Sequence, residues 1–373
     1  MHDPVQLTRH LVRFKTINPP GDEQPCAEFL GSLLEDAGFH LAYHRMGENR
    51  ANLVARIGGT ADTKPLCLSG HIDVVPLGAK PWSVDPFGAE VSNGRIYGRG
   101  SSDMKAGVAA IVTSAIELAP KLAHTPGLLL VITAGEECGC DGARLMASIP
   151  GALGHAGALI VAEPTANQPL VGHKGCMWVE GACKGVTAHG SQPENGDNAV
   201  YKAARVVSKL AAFEFPPVTG NAMALPTLNV GWLRGGMNVN SVPDEAKFGL
   251  DIRTVTGLDE QEVLHALRST AKGEASFALL GSYPPVWSDP RNAWVQNVFA
   301  VMERLLGQPI EPAIASYFTD ASPLGEAYGN PPTLILGPGE PEQAHQTDEW
   351  CAIERIETAK AAFTEITRAW CGV

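Results

Sequence analysis

The chain has 373 residues, of which 45% are hydrophobic and 18% are charged. This length suits one large or two medium-sized domains, and the composition is that of an ordinary globular protein. A formal net charge of −12 without any basic stretch argues against nucleic acid as a partner. No apolar run approaches the ~20 residues that span a bilayer. The first residues also lack a signal-peptide pattern, so we expect a cytoplasmic protein that makes no membrane contact.

The eight cysteines are scattered along the chain. Without a secretion signal, we interpret them as reduced thiols rather than as a disulfide framework. Cys138 and Cys140 raise the alternative of a zinc knuckle, but no second pair follows them at finger spacing. We interpret them as small residues in a turn after Glu137.

The first part of the chain alternates helical and strand-like patterns. Helical spacing predicts helices over 5–16, 26–37 and 104–118. Apolar runs predict strands over 40–44, 51–57, 65–70, 128–133 and 158–162. This alternation predicts an α/β fold with a mixed sheet covered by helices.

From about residue 177 the order changes to strand, helix, strand, strand, helix, strand. The predicted elements are 177–184, 198–213, 227–233, 245–253, 259–270 and 275–280. This order is that of a ferredoxin-like α+β domain. The α/β pattern resumes with a helix over 292–306, a strand over 332–336 and a helix over 354–370. We therefore predict a catalytic domain, residues 1–176 and 288–373, into which a lid domain, residues 177–287, is inserted.

Two short strings place chemically active side chains directly after buried strands. The first is SGHIDVVP at 69–76, in which His71 and Asp73 share a face because they are two apart in a strand. Asp73 can then accept the second ring N–H of a metal-bound His71. An ordinary hydrogen bond of a strand-end histidine is the alternative.

The second string is AGEE at 134–137. Adjacent carboxylates at a strand end repel each other unless a cation lies between them. If Glu137 binds a metal, Glu136 stays free to take a proton from a metal-bound water. Two solvated loop glutamates are the alternative.

Three more residues extend this set. Asp103 stands directly before the predicted helix 104–118. It can serve there as the N-cap of the helix, as a metal ligand or as both. Glu163 follows the strand 158–162, and His345 lies in the loop after the strand 332–336. Such ligands collect at the carboxyl ends of strands in open α/β sheets, and mixed histidine and carboxylate sets suit zinc, manganese or cobalt. Five ligands exceed one tetrahedral site, whereas two metals that share a bridging carboxylate would use them all.

These strings, with GRGSSDMK at 98–105, resemble the acetylornithine deacetylase and succinyl-diaminopimelate desuccinylase family of di-metal metallopeptidases. The family also includes glutamate-releasing carboxypeptidases, and the resemblance spans essentially the whole chain. It implies a zinc-peptidase-like catalytic domain, an inserted lid and dimerisation domain, a homodimer and two divalent metal ions. We expect zinc, with cobalt or manganese as alternatives.

The resemblance implies hydrolysis of the amide bond of an N-acyl amino acid. The string TDASP at 319–323 looks closer to acetylornithine deacetylases, so N-acetylornithine is the leading substrate. Succinyl-diaminopimelate and related N-acyl amino acids or dipeptides are the alternatives. A non-catalytic amino-acid-binding homologue is the alternative from another class.

The resemblance also implies a role for each residue in the metal site. His71 and Glu163 would bind one metal, Glu137 and His345 the other, and Asp103 would bridge them. The peptide bond after Asp103 would be cis. Asp73 would orient His71, and Glu136 would be the general base and later the general acid.

Three residues of the lid would complete the active site. His189, in TAHGS at 187–191, is implied to stabilise the oxyanion in a neighbouring subunit. Asn240 and Arg253 match substrate-binding positions, and Arg253 can hold a carboxylate with two hydrogen bonds. A solvated charge at a strand end is the alternative for Arg253. The chain departs from the family where Lys105 is followed by Ala106 before Gly107, which should not affect the ligands.

Overall fold

The computed structural model describes residues 3–59, 63–218, 220 and 223–373. Its helices are α1 (Pro4–Val12), α2 (Gln24–Asp36), α3 (Ala106–Leu122), α4 (Asp141–Ser148), α5 (Ala199–Leu210), α6 (Glu260–Ala271), α7 (Ala293–Leu306), α8 (Ala321–Ala327) and α9 (Ile353–Cys371). Its strands are β1 (His40–Gly47), β2 (Arg50–Ile57), β3 (Leu66–His71), β4 (Glu90–Ser92), β5 (Arg95–Tyr97), β6 (Leu128–Thr133), β7 (Ala158–Val161), β8 (Gly172–His173), β9 (Gly175–Lys184), β10 (Thr227–Gly235), β11 (Glu245–Thr254), β12 (Ser276–Tyr283), β13 (Val286–Trp287), β14 (Thr333–Ile335) and β15 (Trp350–Ala352).

The described residues group into two compact units. The first unit comprises Met1–His173, Trp287–Ala315 and Thr319–Val373, and the second comprises Lys174–Val286 and Ser316–Phe318. The predicted α/β fold with an inserted α+β segment is therefore confirmed.

Six strands form the main sheet of the first unit, in the order β1-β2-β6-β3-β7-β14. β6, β3, β7 and β14 run parallel, whereas β1 and β2 pair antiparallel at one side. Every residue of β3, β6 and β7 is buried, which explains why β6 and β7 are almost entirely apolar and why β3 begins with an apolar run. The carboxyl ends of the four parallel strands meet at one edge, so the segments that follow them are brought together.

Helix α3 packs against β3 and β6 and against α1 and α9. It begins at Ala106 rather than at the predicted residue 104, because Asp103 and Met104 have non-helical backbone angles. Asp103 is therefore not its N-cap, and that interpretation is wrong. A Cβ on Gly107 would lie 2.1 Å from the carbonyl oxygen of Ala162, so only glycine lets the helix approach the end of β7 this closely.

The second unit is built on an antiparallel sheet in the order β10-β11-β9-β12, on which α5 and α6 pack. The chain order strand, helix, strand, strand, helix, strand is the predicted ferredoxin-like one. The role of this unit as a lid and dimerisation domain stays a prediction.

Several short elements were not predicted. β15, β5 and β4 form a small separate sheet, and each has only three residues, too few to show an alternating pattern. α8 contains Pro323 and Gly325, which disfavour a helix in isolation. Among the residues described, no helix is both long and apolar enough to cross a bilayer.

Candidate metal centre

Two groups of donor atoms meet in the first unit and share Asp103. In one, Nε2 of His71 lies 3.2 Å from Oδ1 of Asp103 and 3.8 Å from Oε2 of Glu163. In the other, Nε2 of His345 lies 3.0 Å from Oε2 of Glu137 and 3.5 Å from Oδ2 of Asp103. Asp103 thus turns one oxygen to each group, and the Asp103–Met104 peptide bond is cis. The five residues predicted as ligands are brought together, and their assignment as ligands stays a prediction.

The chemistry of the two groups fits divalent metal ions. Within each group the donor atoms lie within 4.8 Å of one another, and ions that bind nitrogen and oxygen at about 2.0–2.2 Å fit between such donors. Burial raises the pKa of the Glu163 carboxyl well above its ordinary value, and the charges of Asp103 and Glu137 add to this against the opposing charge of His71. Carboxyls that oppose one another's charge in this way are stabilised when a cation lies between them.

Asp73 connects the end of β3 to the loop after β6. Its main-chain carbonyl accepts a hydrogen bond from Nδ1 of His71 (3.0 Å), which leaves Nε2 of that ring to face the carboxylates. Its carboxylate accepts from the main-chain N–H groups of Glu136 (3.1 Å) and Glu137 (3.2 Å) and from the side chain of Asn18 (2.9 Å). A link between Asp73 and His71 was predicted through the carboxylate, which lies 3.5 Å from Nδ1, whereas the shorter contact is with the main-chain carbonyl. The links with the glutamates were not predicted.

A buried ion pair between Arg99 and Glu349 holds the loop that carries Asp103. The carboxylate of Glu349 accepts from Nη1 of Arg99 (2.6 Å) and from the main-chain N–H groups of Gly100 (2.9 Å), Ser102 (2.8 Å) and Asp103 (3.0 Å). Arg99 also donates to the main-chain carbonyls of Gln346 (3.1 Å) and Pro76 (3.3 Å). These positioning residues were missed, because nothing in the local sequence pairs residues 250 positions apart.

Glu136 lies beside the two groups without belonging to either. It is buried, and burial raises its pKa well above the ordinary value, as do the charges of Glu163 and Asp320 against that of His71. Cys138 is exposed and belongs to none of the donor groups found among the described residues, so nothing supports a zinc knuckle there.

His189 and Asn240 lie on neighbouring loops of the second unit. His189 pairs with Ser241 in an isolated bridge, and the N–H of Gly190 donates to the carbonyl of Asn240 (2.8 Å). The main-chain N–H of Ser191 donates to Nδ1 of His189 (3.2 Å), and Oγ of Ser191 lies 2.7 Å from the same nitrogen; with both groups as donors to Nδ1, the neutral ring carries its proton on Nε2. His189 is exposed, and its Nε2–H is a donor of the kind that an oxyanion needs.

Arg253 is paired within its own strand. Its Nε and Nη2 donate to the two oxygens of Asp251 (2.7 and 3.0 Å), and Nε1 of Trp178 donates to the same carboxylate (3.3 Å). The guanidinium carbon lies 5.8 Å from the centre of the Phe318 ring. Arg253 is therefore a partly buried ion-pair member rather than a solvated edge charge, and a substrate carboxylate would share it with Asp251. Substrate binding by Asn240 and Arg253 stays a prediction.

The fold and the paired donor groups together are those of a metal-dependent amide hydrolase. The profile of peptidase family M20/M25/M40 matches residues 67–369, and the chain belongs to this family. The family predicted from the sequence is therefore confirmed.

Curated relatives match over almost the whole chain. A probable succinyl-diaminopimelate desuccinylase of Staphylococcus epidermidis is 32% identical, with 99% of this chain and 98% of the relative covered. An acetylornithine deacetylase of Proteus mirabilis is 30% identical, with 98% and 96% covered.

Solved structures share the fold at lower identity. An M20 family metallo-carboxypeptidase from Sulfolobus solfataricus superimposes with a TM-score of 0.79 at 20% identity, covering 99% of both chains. A dinuclear metal-binding peptidase of the same family from Bacillus subtilis gives a TM-score of 0.75 at 17% identity, covering 99% of this chain and 98% of the other.

Proposed function

We propose that this chain hydrolyses the amide bond of an N-acyl amino acid with the help of two divalent metal ions. The observation that carries the proposal is the pair of donor groups that share Asp103, with Glu136 buried beside them and outside both. The names of the relatives, a desuccinylase and a deacetylase, support a substrate of this kind. Zinc is the proposed metal, with cobalt or manganese as alternatives, because the set combines histidine and carboxylate ligands.

When bound, the two ions would supply Lewis-acid polarisation and would lower the pKa of a water molecule toward ~7. Glu136 accepts the proton of the attacking water and later returns it to the leaving amine. The carboxylate of Asp73 keeps Glu136 in place by accepting a hydrogen bond from the main-chain N–H of Glu136. The Nε2–H of His189 donates to the former carbonyl oxygen, which becomes an oxyanion when water attacks the carbonyl carbon. Asn240 and Arg253 bind the rest of the substrate.

N-acetylornithine is the leading substrate, because the string TDASP at 319–323 looks closer to that of acetylornithine deacetylases. The second candidate is N-succinyl-diaminopimelate, which the 32% identity to a probable desuccinylase favours. An N-acyl glutamate or a dipeptide is a further alternative within the same chemistry.

A hydrolysis panel tests the proposal and separates these substrates. Metal-loaded protein is assayed with N-acetylornithine, N-succinyl-diaminopimelate, an N-acyl glutamate and a dipeptide, and release of the free amine is followed. We expect one N-acyl amino acid to be cleaved with a kcat/KM at least tenfold above the others. Binding of these compounds without cleavage of any of them would instead support the non-catalytic alternative.

We also propose a cytoplasmic homodimer in which His189 acts on the substrate of the neighbouring subunit. The His189→Ala variant should keep its metal and its oligomeric state while kcat falls, because it loses only the oxyanion donor. Sedimentation and metal analysis beside the assay would check this. A protein that is fully active as a monomer would contradict the shared role.

A further inference from the structure

A third group of side chains lies next to the two metal-binding groups. Sγ of Cys140 and one oxygen each of Glu136 and Asp320 lie within 4.8 Å of one another. All three residues are at most 9% exposed. None of them is a proposed metal ligand, so their proximity has another explanation.

The main chain of Glu136 is fixed on both sides. Its N–H donates to Asp73 (3.1 Å), and its carbonyl accepts from the N–H groups of Gly139 (2.9 Å) and Cys140 (2.8 Å). This turn brings Cys140, in the left-handed region at φ +56°, back to the side chain of Glu136 just before α4 begins. The thiol of Cys140 donates to Oε1 of Glu136 at a sulfur–oxygen distance of 3.7 Å.

The thiol keeps its proton in this environment. Burial raises the pKa of Cys140 well above its ordinary value, and the charges of Asp320 and Glu136 raise it further. Cys140 is thus a buried donor with a single hydrogen. An unreactive thiol of this kind is suited to donating a hydrogen bond to a neighbouring side chain rather than to acting as a nucleophile.

Asp320 is the third member of the group. Its Oδ2 accepts from Oγ1 of Thr133 (2.5 Å), whereas its buried Oδ1 has no hydrogen-bond partner in the described part of the chain. The thiol of Cys140 lies within 4.8 Å of Asp320 as well, and its sulfur has hydrogen-bond geometry toward Oε1 of Glu136. The charge of Asp320 also opposes any rotation of the Glu136 carboxyl toward it.

We propose that Cys140 is a positioning residue for Glu136: its thiol anchors one carboxyl oxygen and leaves the other to exchange protons with water and the leaving amine. This inference rests on the proposed function, in which Glu136 is the general base. Asp320, which accepts a hydrogen bond from Thr133, lies within 4.8 Å of both the Cys140 thiol and the Glu136 carboxyl.

The test compares Cys140→Ala and Cys140→Ser with Cys138→Ala, a matched control at the exposed thiol two residues earlier. For each protein, kcat, KM and bound metal are measured with the best substrate of the panel. We expect Cys140→Ala to lower kcat about tenfold or more, because a misplaced catalytic group loses rate even when binding is intact. KM and metal content should stay within about twofold of the parent, and Cys140→Ser, which keeps a donor, should be more active than Cys140→Ala. Cys138→Ala should match the parent.

An infrared measurement gives a second readout that does not depend on turnover. The difference spectrum between the parent and the Cys140→Ser protein isolates the S–H stretch of Cys140, and we expect it at the frequency of a hydrogen-bonded thiol. That band should shift in the Glu136→Gln protein.

Three outcomes would overturn the positioning role. They are an unchanged kcat in Cys140→Ala, a loss of metal that accompanies the loss of activity, and a free-thiol frequency in the parent protein. The Glu136→Gln protein separates this inference from the proposed function. If Glu136→Gln is active, the base assignment fails; if it is inactive while Cys140→Ala is fully active, only the positioning role fails.

Discussion

At the scale of single residues, Asp73 shows how one buried carboxylate organises two separate segments. Burial works against its charge, but His71 and the N–H donors of Asn18 and Glu136 hold the pKa of Asp73 below its ordinary value. The charged carboxylate can therefore accept the hydrogen bonds that fix the main chain of both adjacent glutamates. Partners of this kind commonly set the affinity of a metal site from outside it.

The Asp73→Asn variant tests this role. The variant replaces one carboxylate oxygen by an amide NH2 group, which is a hydrogen-bond donor and faces other N–H donors. The segment with Glu136 and Glu137 should therefore shift. We expect metal affinity to fall about 10–100-fold in a titration against a competing chelator. Asn18→Ala, which removes only one donor, should have a smaller effect. An unchanged affinity in Asp73→Asn would refute the role.

Glu136 gives a second prediction at this scale. The Glu136→Gln side chain has nearly the same shape and can still accept the thiol hydrogen, but it cannot take a proton. We expect both metal ions to stay bound while kcat falls about 10²–10⁴-fold. Elemental analysis and the hydrolysis assay measure the two quantities, and Glu311→Gln on an exposed carboxylate is the control. A Glu136→Gln protein with substantial turnover would exclude Glu136 as the base.

At the scale of elements, the loop before α3 and the loop before β15 are joined by one buried ion pair. Glu349 accepts from three main-chain N–H groups of the first loop, and Arg99 donates to the carbonyl of Gln346 in the second. Because one loop carries Asp103 and the other His345, this ion pair fixes the relative positions of predicted ligands from both donor groups.

Glu349→Gln should destabilise the protein by about 3–5 kcal/mol, because it leaves the buried charge of Arg99 without a partner. Denaturant unfolding in the presence of a chelator measures this effect apart from metal binding. The double variant Arg99→Met/Glu349→Gln should recover part of the loss, since it removes the unpaired charge. A double variant less stable than Glu349→Gln would contradict this explanation.

The elements that could be predicted are those with a strong local pattern. β6 is an almost continuous apolar run and β3 begins with one, and polar residues stand at or shortly after the ends of these strands, so both the strands and His71, Glu136 and Glu137 stood out. The non-helical backbone at Asp103 has no local signal, and the predicted helix therefore began too early. The ion pair of Arg99 and Glu349 depends on a fold that brings distant loops together, which a single sequence does not reveal.

At the scale of the whole molecule, all five predicted ligands belong to the first unit, whereas His189, Asn240 and Arg253 belong to the second. Metal binding should therefore stabilise the first unit. The three carboxylates predicted as ligands, Asp103, Glu137 and Glu163, oppose one another's charge when no cation is present.

Chelation should lower the thermal midpoint of the first unit and leave that of the second unchanged. A free metal concentration of about 100 times the dissociation constant stabilises the folded state by about 2.7 kcal/mol for each ion. This stabilisation raises the thermal midpoint by several degrees. Differential scanning calorimetry with and without zinc measures both midpoints. In His71→Ala, where one group is incomplete, the shift should be smaller; an equal shift in both units would contradict the location of the metal site.

The order of the sheet has a consequence for the protein while it is being synthesised. β14 is the last strand added to the main sheet, at its edge, and His345 follows it. A nascent chain that has not reached this strand holds His71, Asp103 and Glu163 but lacks the histidine of the other group. Glu349, which holds the Asp103 loop, is also still missing. The growing polypeptide is therefore expected to capture at most one ion, and hydrolytic competence arises only when the final part of the chain has joined the sheet.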